Sequence, residues 1–223
     1  FTKTQNSFLK CYFDSKDTQD IFEEVIKDKN YNFSRYNFFL ANYLLFKNKD
    51  TEAKKIIKSA RERYSSNILI KETESLLLKG KKEKIKDFFN CKNPEDSLAE
   101  FFYVIANLYS TEEEYQLSNF YLKISLFLNK NFLTNNALLA ENFYHQKKYQ
   151  HSKNVYELLK SIGPAYSWYA SRSIAVILLK EKGKKYSINN LEKEFNLLSN
   201  ANFKHYYELA NFYKDNEYYE KSI

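Results

Sequence analysis

Apolar positions along this chain fall on helical faces, and one short pattern of them returns every 34 or 35 residues. Ile105-Ala106-Asn107-Leu108-Tyr109, Leu139-Ala140-Glu141-Asn142-Phe143, Ile174-Ala175-Val176-Ile177-Leu178 and Leu209-Ala210-Asn211-Phe212-Tyr213 all read large aliphatic, Ala, two residues, large apolar. The alanines are 34, 35 and 35 residues apart, and a Ser follows each by 12: Ser118, Ser152, Ser187 and Ser222. Leu40-Ala41-Asn42-Tyr43-Leu44, with Ala53 at the same step of 12, repeats the motif upstream. Large, small and aromatic residues at this spacing share one helix face. The small residue lets an antiparallel helix approach closely, and the second small residue sits on that helix at the crossing. Ile57, Leu122, Tyr156 and Leu191, four residues further on, fill the gap towards the next pair.

The pattern predicts an all-α chain of antiparallel helix pairs over approximately 2–30, 34–66, 67–96, 99–132, 133–166 and 168–202, with a partial pair at 203–223. The segment 67–96 is degenerate, because Leu76-Leu77-Leu78 lies on a helix but Lys79-Gly80-Lys81-Lys82 leads into a short second one. The opening unit is also poor, placing Leu9 and Ile21 at the two small-residue positions.

Composition supports this reading. With only 3 Gly and 2 Pro in 223 residues, the chain lacks the turn formers that a sandwich or barrel requires. No apolar run approaches the roughly 18 uninterrupted residues of a membrane helix, so no membrane insertion is expected. The formal charge of +7, from 35 basic and 28 acidic residues, is mild, and Lys and Glu interleave as on solvated helix faces. Nucleic acid is therefore only a minor alternative partner. Cys11 and Cys91 form no CxxC motif and neither demand nor exclude an oxidising compartment. The chain begins at Phe1 and contains no Met, which suggests a processed product or fragment. Its place is cytoplasmic or, if an export signal has been removed, periplasmic or envelope-associated.

The spacing resembles the tetratricopeptide repeat, W-x2-L-G-x2-Y followed by A-x3-F, with Tyr115, Tyr149 and Tyr219 at the position just after the inter-helix turn. Ala replaces the family's Gly at the first crossing, and the closing Pro is mostly missing. A narrower resemblance, to the long and mostly uncharacterised repeat proteins of alphaproteobacteria, rests on two stretches. One is Phe89-Asn90-Cys91-Lys92-Asn93-Pro94 running into Ala99-Glu100, and the other is Pro164-Ala165-Tyr166-Ser167-Trp168-Tyr169.

The resemblance implies a right-handed superhelix with a concave groove lined by the first helix of each pair. Carried onto this sequence, the groove positions are Arg35, Phe38, Asn42 and Leu45, then Tyr103, Asn107 and Ser110, then Thr134, Glu141, Tyr144 and His145. Tyr169, Arg172 and Lys180 follow, then Lys204, Tyr207, Asn211 and Lys214. The recurring amide at Asn42, Asn107 and Asn211 both donates and accepts hydrogen bonds, which suits an extended peptide. A clamp on a peptide's terminal carboxylate is not supported, since Phe38, Tyr103 and Tyr207 stand where the family places Lys. The implied function is a protein-binding scaffold without cofactor, metal or catalytic residues. The alternative is a non-catalytic arm of a larger enzyme or envelope complex.

Other candidates read as structural. Lys79, Lys81, Lys82, Lys84 and Lys86, and Lys180, Lys182, Lys184 and Lys185, sit at expected inter-helix turns, where Lys complements a helix C-terminus. His145 and His151 are six apart across a turn, unlike the i, i+4 pair of a helical metal site. Gly80, Gly163 and Gly183 are isolated and form no phosphate loop. Trp168 reads as interface filler. The last unit lacks most of its second helix, so a longer chain or a second copy, by self-association, is expected to cover Leu209 and Phe212.

Overall fold

The structure, a computed structural model, describes residues 2–28 and 33–222. The expected end of the first unit, at residue 30, lies outside the described residues, as does Ile223. Among the described residues there are thirteen α-helices and no strand. They are α1 (Thr2–Tyr12), α2 (Thr18–Lys27), α3 (Tyr36–Phe46), α4 (Asp50–Arg63), α5 (Ile68–Leu78), α6 (Lys82–Phe88) and α7 (Pro94–Thr111). After these come α8 (Tyr115–Leu128), α9 (Asn136–His145), α10 (Tyr149–Leu159), α11 (Pro164–Lys182), α12 (Lys184–Asn196) and α13 (Phe203–Asp215).

Successive helices pack as pairs, and four pairs bury a small residue on each helix at the same step of 12. Ala41 and Ala53, Ala106 and Ser118, Ala140 and Ser152, and Ala175 and Ser187 are all completely buried. The step of 12 has a chemical basis in two of them. Ser152 Oγ donates to the Ala140 carbonyl at 2.8 Å and Ser187 Oγ to the Ala175 carbonyl at 2.5 Å, so the serine satisfies itself at a contact too close for a larger side chain. The degenerate pair keeps the step with bulkier residues, since Thr73 and Ile85 are both buried. In α1, however, Leu9 is exposed while Ser7 and Thr18 are fully buried. The first crossing therefore lies two to three residues before the expected positions. Replacing Ala140 by Leu overpacks its crossing and is expected to lower stability by about 1–3 kcal/mol; an unchanged denaturation midpoint would refute the crossing.

The turns repeat even where the sequence does not. Asp14, Asn48, Gly80, Glu113, Lys147 and Glu217 all adopt positive φ, between 56° and 69°. The amide after each residue reaches back to a carbonyl five residues earlier in the chain, as in Lys49 N to Leu44 O at 2.9 Å and Lys148 N to Phe143 O at 2.8 Å. This hydrogen bond and the left-handed residue together make a Schellman ending. It satisfies carbonyls that would otherwise be orphaned at the helix end.

The array does not stay one-dimensional. In open solenoids each repeat touches only its neighbours, but here α1 packs on α7 and α5 packs on α11, while α6 makes no comparable contact with α7. A single core cluster accordingly runs through α1 to α6 and on into α9, α10 and α11. Its centre is aromatic, with Phe39 4.6 Å from Phe89 and Phe38 stacked 5.3 Å from Phe132 between ring centroids. Cys11 of α1 and Cys91, in the loop before α7, form a disulfide with Cα atoms 5.8 Å apart. Glu72 of α5, almost completely buried, accepts the Ala165 amide at 2.9 Å. It thereby caps α11 from another helix. Gly163 leaves room for that carboxylate, since a Cβ built there would collide with it. Lys84 closes the same joint by donating to the Ile162 carbonyl at 2.6 Å.

Candidate functional site

A concavity of about 700 Å³ opens between the residues preceding α3, the start of α5, the middle of α7, α9 and the start of α11. Phe33, Tyr36, Tyr103 and Tyr166 supply rings to its wall, and Ser34, Ser66, Asn67, Asn107 and Thr134 supply neutral polar groups. Its charged lining residues are Arg35, Glu100 and Glu141.

Arg35 and Glu100 neutralise each other. Arg35 Nε donates to both Glu100 oxygens at 2.8 and 3.0 Å, and Nη2 donates to Glu100 Oε2 and to Asn135 Oδ1, each at 2.7 Å. The guanidinium lies 4.0 Å from the centre of the Tyr103 ring and 4.7 Å from that of Phe132. Burial pushes the Glu100 carboxyl up, and the Arg35 charge pulls it back down. The same carboxylate, outweighing desolvation, holds Arg35 protonated. Glu141 accepts the Tyr169 hydroxyl, and burial with that neighbouring carboxylate drives the Tyr169 phenol upward.

The sequence-derived groove residues therefore divide. Arg35, Tyr103, Asn107 and Glu141 line one cavity, and Tyr169 joins them through Glu141. Phe38, Asn42 and Leu45 do not face a groove, because all three are buried. The helix α3 is apolar over most of its circumference and buried along most of its length, as expected of a helix enclosed by its neighbours. On its former groove side Asn42 donates to the Ile85 carbonyl of α6 at 2.9 Å, and Phe38 packs on Phe88 and Phe132. Tyr144 packs against the core with the Lys180 ammonium 4.9 Å from its ring centre. Arg172 is held by Glu208 at 3.0 Å, and Tyr207, Asn211 and Lys214 lie on α13, which contributes nothing to the cavity lining.

The repeat register does not mark Glu100, Asn135, Glu72 or Tyr166 as site residues. Both carboxylates stand next to apolar neighbours, in Leu98-Ala99-Glu100-Phe101-Phe102 and in Leu69-Ile70-Lys71-Glu72. A lone acid on an apolar face was the signal available, since such a group needs a buried partner.

The remaining polar candidates serve the fold. Lys82 pairs with Asp50 at 2.7 Å and Lys86 with Glu83 at 3.2 Å. Lys184 pairs with Glu217. His145 stacks on Tyr115 with centroids 5.3 Å apart, and Trp168 is buried with its indole donating to Glu208 at 2.7 Å. Among the described residues no three His, Cys, Asp or Glu side chains are grouped to hold a metal ion, and no helix is long and apolar enough to cross a membrane. A second cavity, about 570 Å³, lies between α1 and α7 and is walled mainly by Phe8, Leu9, Tyr12, Phe13, Leu98 and Phe101.

Small-residue crossings at a step of 12 and Schellman turns define an all-α helical-repeat fold whose helix pairs are similar to those of tetratricopeptide repeats. A tetratricopeptide repeat protein from Parabacteroides merdae, known from its crystal structure, is 17% identical and is matched over 98% of this chain and 89% of that one, with a TM-score of 0.43. No family model and no curated protein matches the chain.

Proposed function

We propose that the chain is a non-catalytic scaffold that receives an extended segment of a protein partner in the cavity beside Asn107. The observation that carries this reading is the character of the lining. Its strongest charges, Arg35 and Glu100, are already paired, and Glu141 accepts the Tyr169 hydroxyl, so the groups that face an incoming chain are mainly amides, hydroxyls and rings. Such groups match a peptide backbone, whose N–H and C=O need both acceptors and donors. The tyrosines provide the broad, rigid contact area typical of binding anchors.

Tyr103 is a poor residue to probe, because it supports Arg35. Asn107 is exposed on the cavity wall and can be enlarged without disturbing the ion pair. Asn107→Trp is expected to weaken peptide hits from a diverse synthetic array at least about tenfold, a loss of roughly 1.4 kcal/mol, with unchanged helicity. If equal binding persists in this variant, the peptide does not lie in this cavity; an array with no hits would refute peptide capture itself.

A further inference from the structure

Stacking covers the α7–α8 pair on one side only. The two helices pack on each other and α8 packs on α9, while α1 touches α7 at a limited contact and α6 makes no comparable one. A repeat pair needs a neighbour on each side to bury its apolar faces, and here the uncovered face stays apolar. Leu117, Phe120 and Phe127 of α8 are 44%, 57% and 73% exposed, and Leu108 of α7 is 55% exposed. Lys123 is the only charged residue of α8. A stack of rings joins the two helices, with Tyr121 of α8 5.5 Å from Tyr109 and 6.1 Å from Phe102 of α7 between centroids. Phe120 meets Tyr121 edge-on at 5.3 Å. None of these residues lines the cavity beside Asn107.

The order of residues along α8 suits a helix meeting its own copy. Leu117, Phe120, Ile124 and Phe127 follow one another at steps of three, four and three, the seam spacing with which one helix packs along another. Charge is divided between the two ends. Glu112, Glu113 and Glu114 precede the helix, whereas Lys130 follows it, its ammonium 5.9 Å from the centre of the Phe127 ring. Among the described residues none of these four charges is in an ion pair. Two copies of α8 laid antiparallel, with a two-fold axis at the level of Leu122, set Leu117 against Phe127 and Phe120 against Ile124. The same register sets Glu114 against Lys130, and the symmetry repeats each pair. A parallel arrangement would instead bring like charges together at both ends, which is unfavourable.

We propose that α7 and α8 form the interface of a symmetric dimer, in which a second copy of this chain covers the open face. A phenylalanine presents about 150–250 Å², so the exposed parts of Phe120, Phe127, Leu108 and Leu117 come to roughly 400 Å² per copy. Two such faces with a polar rim reach the lower end of specific interfaces, about 1,200 Å² in total. The dimer is therefore expected to be reversible, with a dissociation constant on the order of 10–100 µM.

The test is sedimentation equilibrium from low micromolar to submillimolar protein at low ionic strength, where charge pairs are least screened. A concentration-dependent dimer is expected. Phe127→Glu, at a side chain mostly in solvent, should raise the dissociation constant at least about tenfold with unchanged helicity. Lys130→Glu should raise it about fivefold, and adding Glu114→Lys to that variant should recover most of the loss, because reversing both charges rebuilds the antiparallel pairs. A chain that stays monomeric throughout overturns the proposal and leaves the face to a different protein. A dimer untouched by Phe127→Glu also overturns it and places the contact elsewhere, such as at Leu209 and Phe212. A dimer that ignores Lys130→Glu, or that Glu114→Lys does not rescue, overturns the antiparallel pairing.

Discussion

Cys11→Ser, or reduction of the bond to Cys91, is expected to lower stability by about 4 kcal/mol. The two cysteines are 80 residues apart in sequence, and closing a loop of that length removes chain entropy from the unfolded state on the order of 4–5 kcal/mol. Part of the loss is local. The helix α1 is otherwise held by α2, by Phe8 packed on Tyr36, Phe39 and Phe89, by a limited contact with α7 and by Lys92 reaching the Tyr12 carbonyl at 3.0 Å. Denaturant unfolding with and without reductant measures the difference, and coincident midpoints would mean that the crosslink contributes nothing. The bond persists where thiols are oxidised, so in a reducing compartment α1 would be held by packing and hydrogen bonds alone.

Arg35→Met is expected to cost about 3–5 kcal/mol at pH 7, because it leaves the Glu100 carboxylate buried and unpaired. Its pH dependence separates this cause from lost packing. Burial already raises the Glu100 carboxyl, and Arg35 is what opposes the rise. Without Arg35 the folded-state value climbs further above the unfolded one. A group raised on folding contributes stability below its unfolded value and loses it as pH rises through its folded value. The variant's deficit should therefore be smallest near pH 4 and grow towards neutrality. A deficit independent of pH would assign the loss to the rings of Tyr103 and Phe132 instead.

The helix pairs were legible in the sequence because their crossings demand small residues. Ala140 and Ser152 have no room to be anything large, and 34-residue bookkeeping finds them. The α5–α6 pair was harder to read because Thr73 and Ile85 keep the spacing but not the size. The site was less legible for a different reason. Groove positions follow from a regular superhelix, and the chain curls until α6 and Phe132 cover the face of α3 that carries Phe38 and Asn42. Nothing periodic announces such a contact. The clues are single residues that break the pattern, such as a carboxylate beside Phe101 or a glycine facing Glu72.

The Glu72 carboxylate on the start of α11 also bears on how this chain can evolve. Open arrays lengthen and shorten by whole repeats, since each new unit meets only two neighbours. Here a helix pair duplicated or deleted between α5 and α11 would carry Glu72 and Lys84 away from Ala165 and Ile162. The number of repeats between these helices is thus fixed by a hydrogen-bonded closure, and change is confined to substitution within units or growth beyond them.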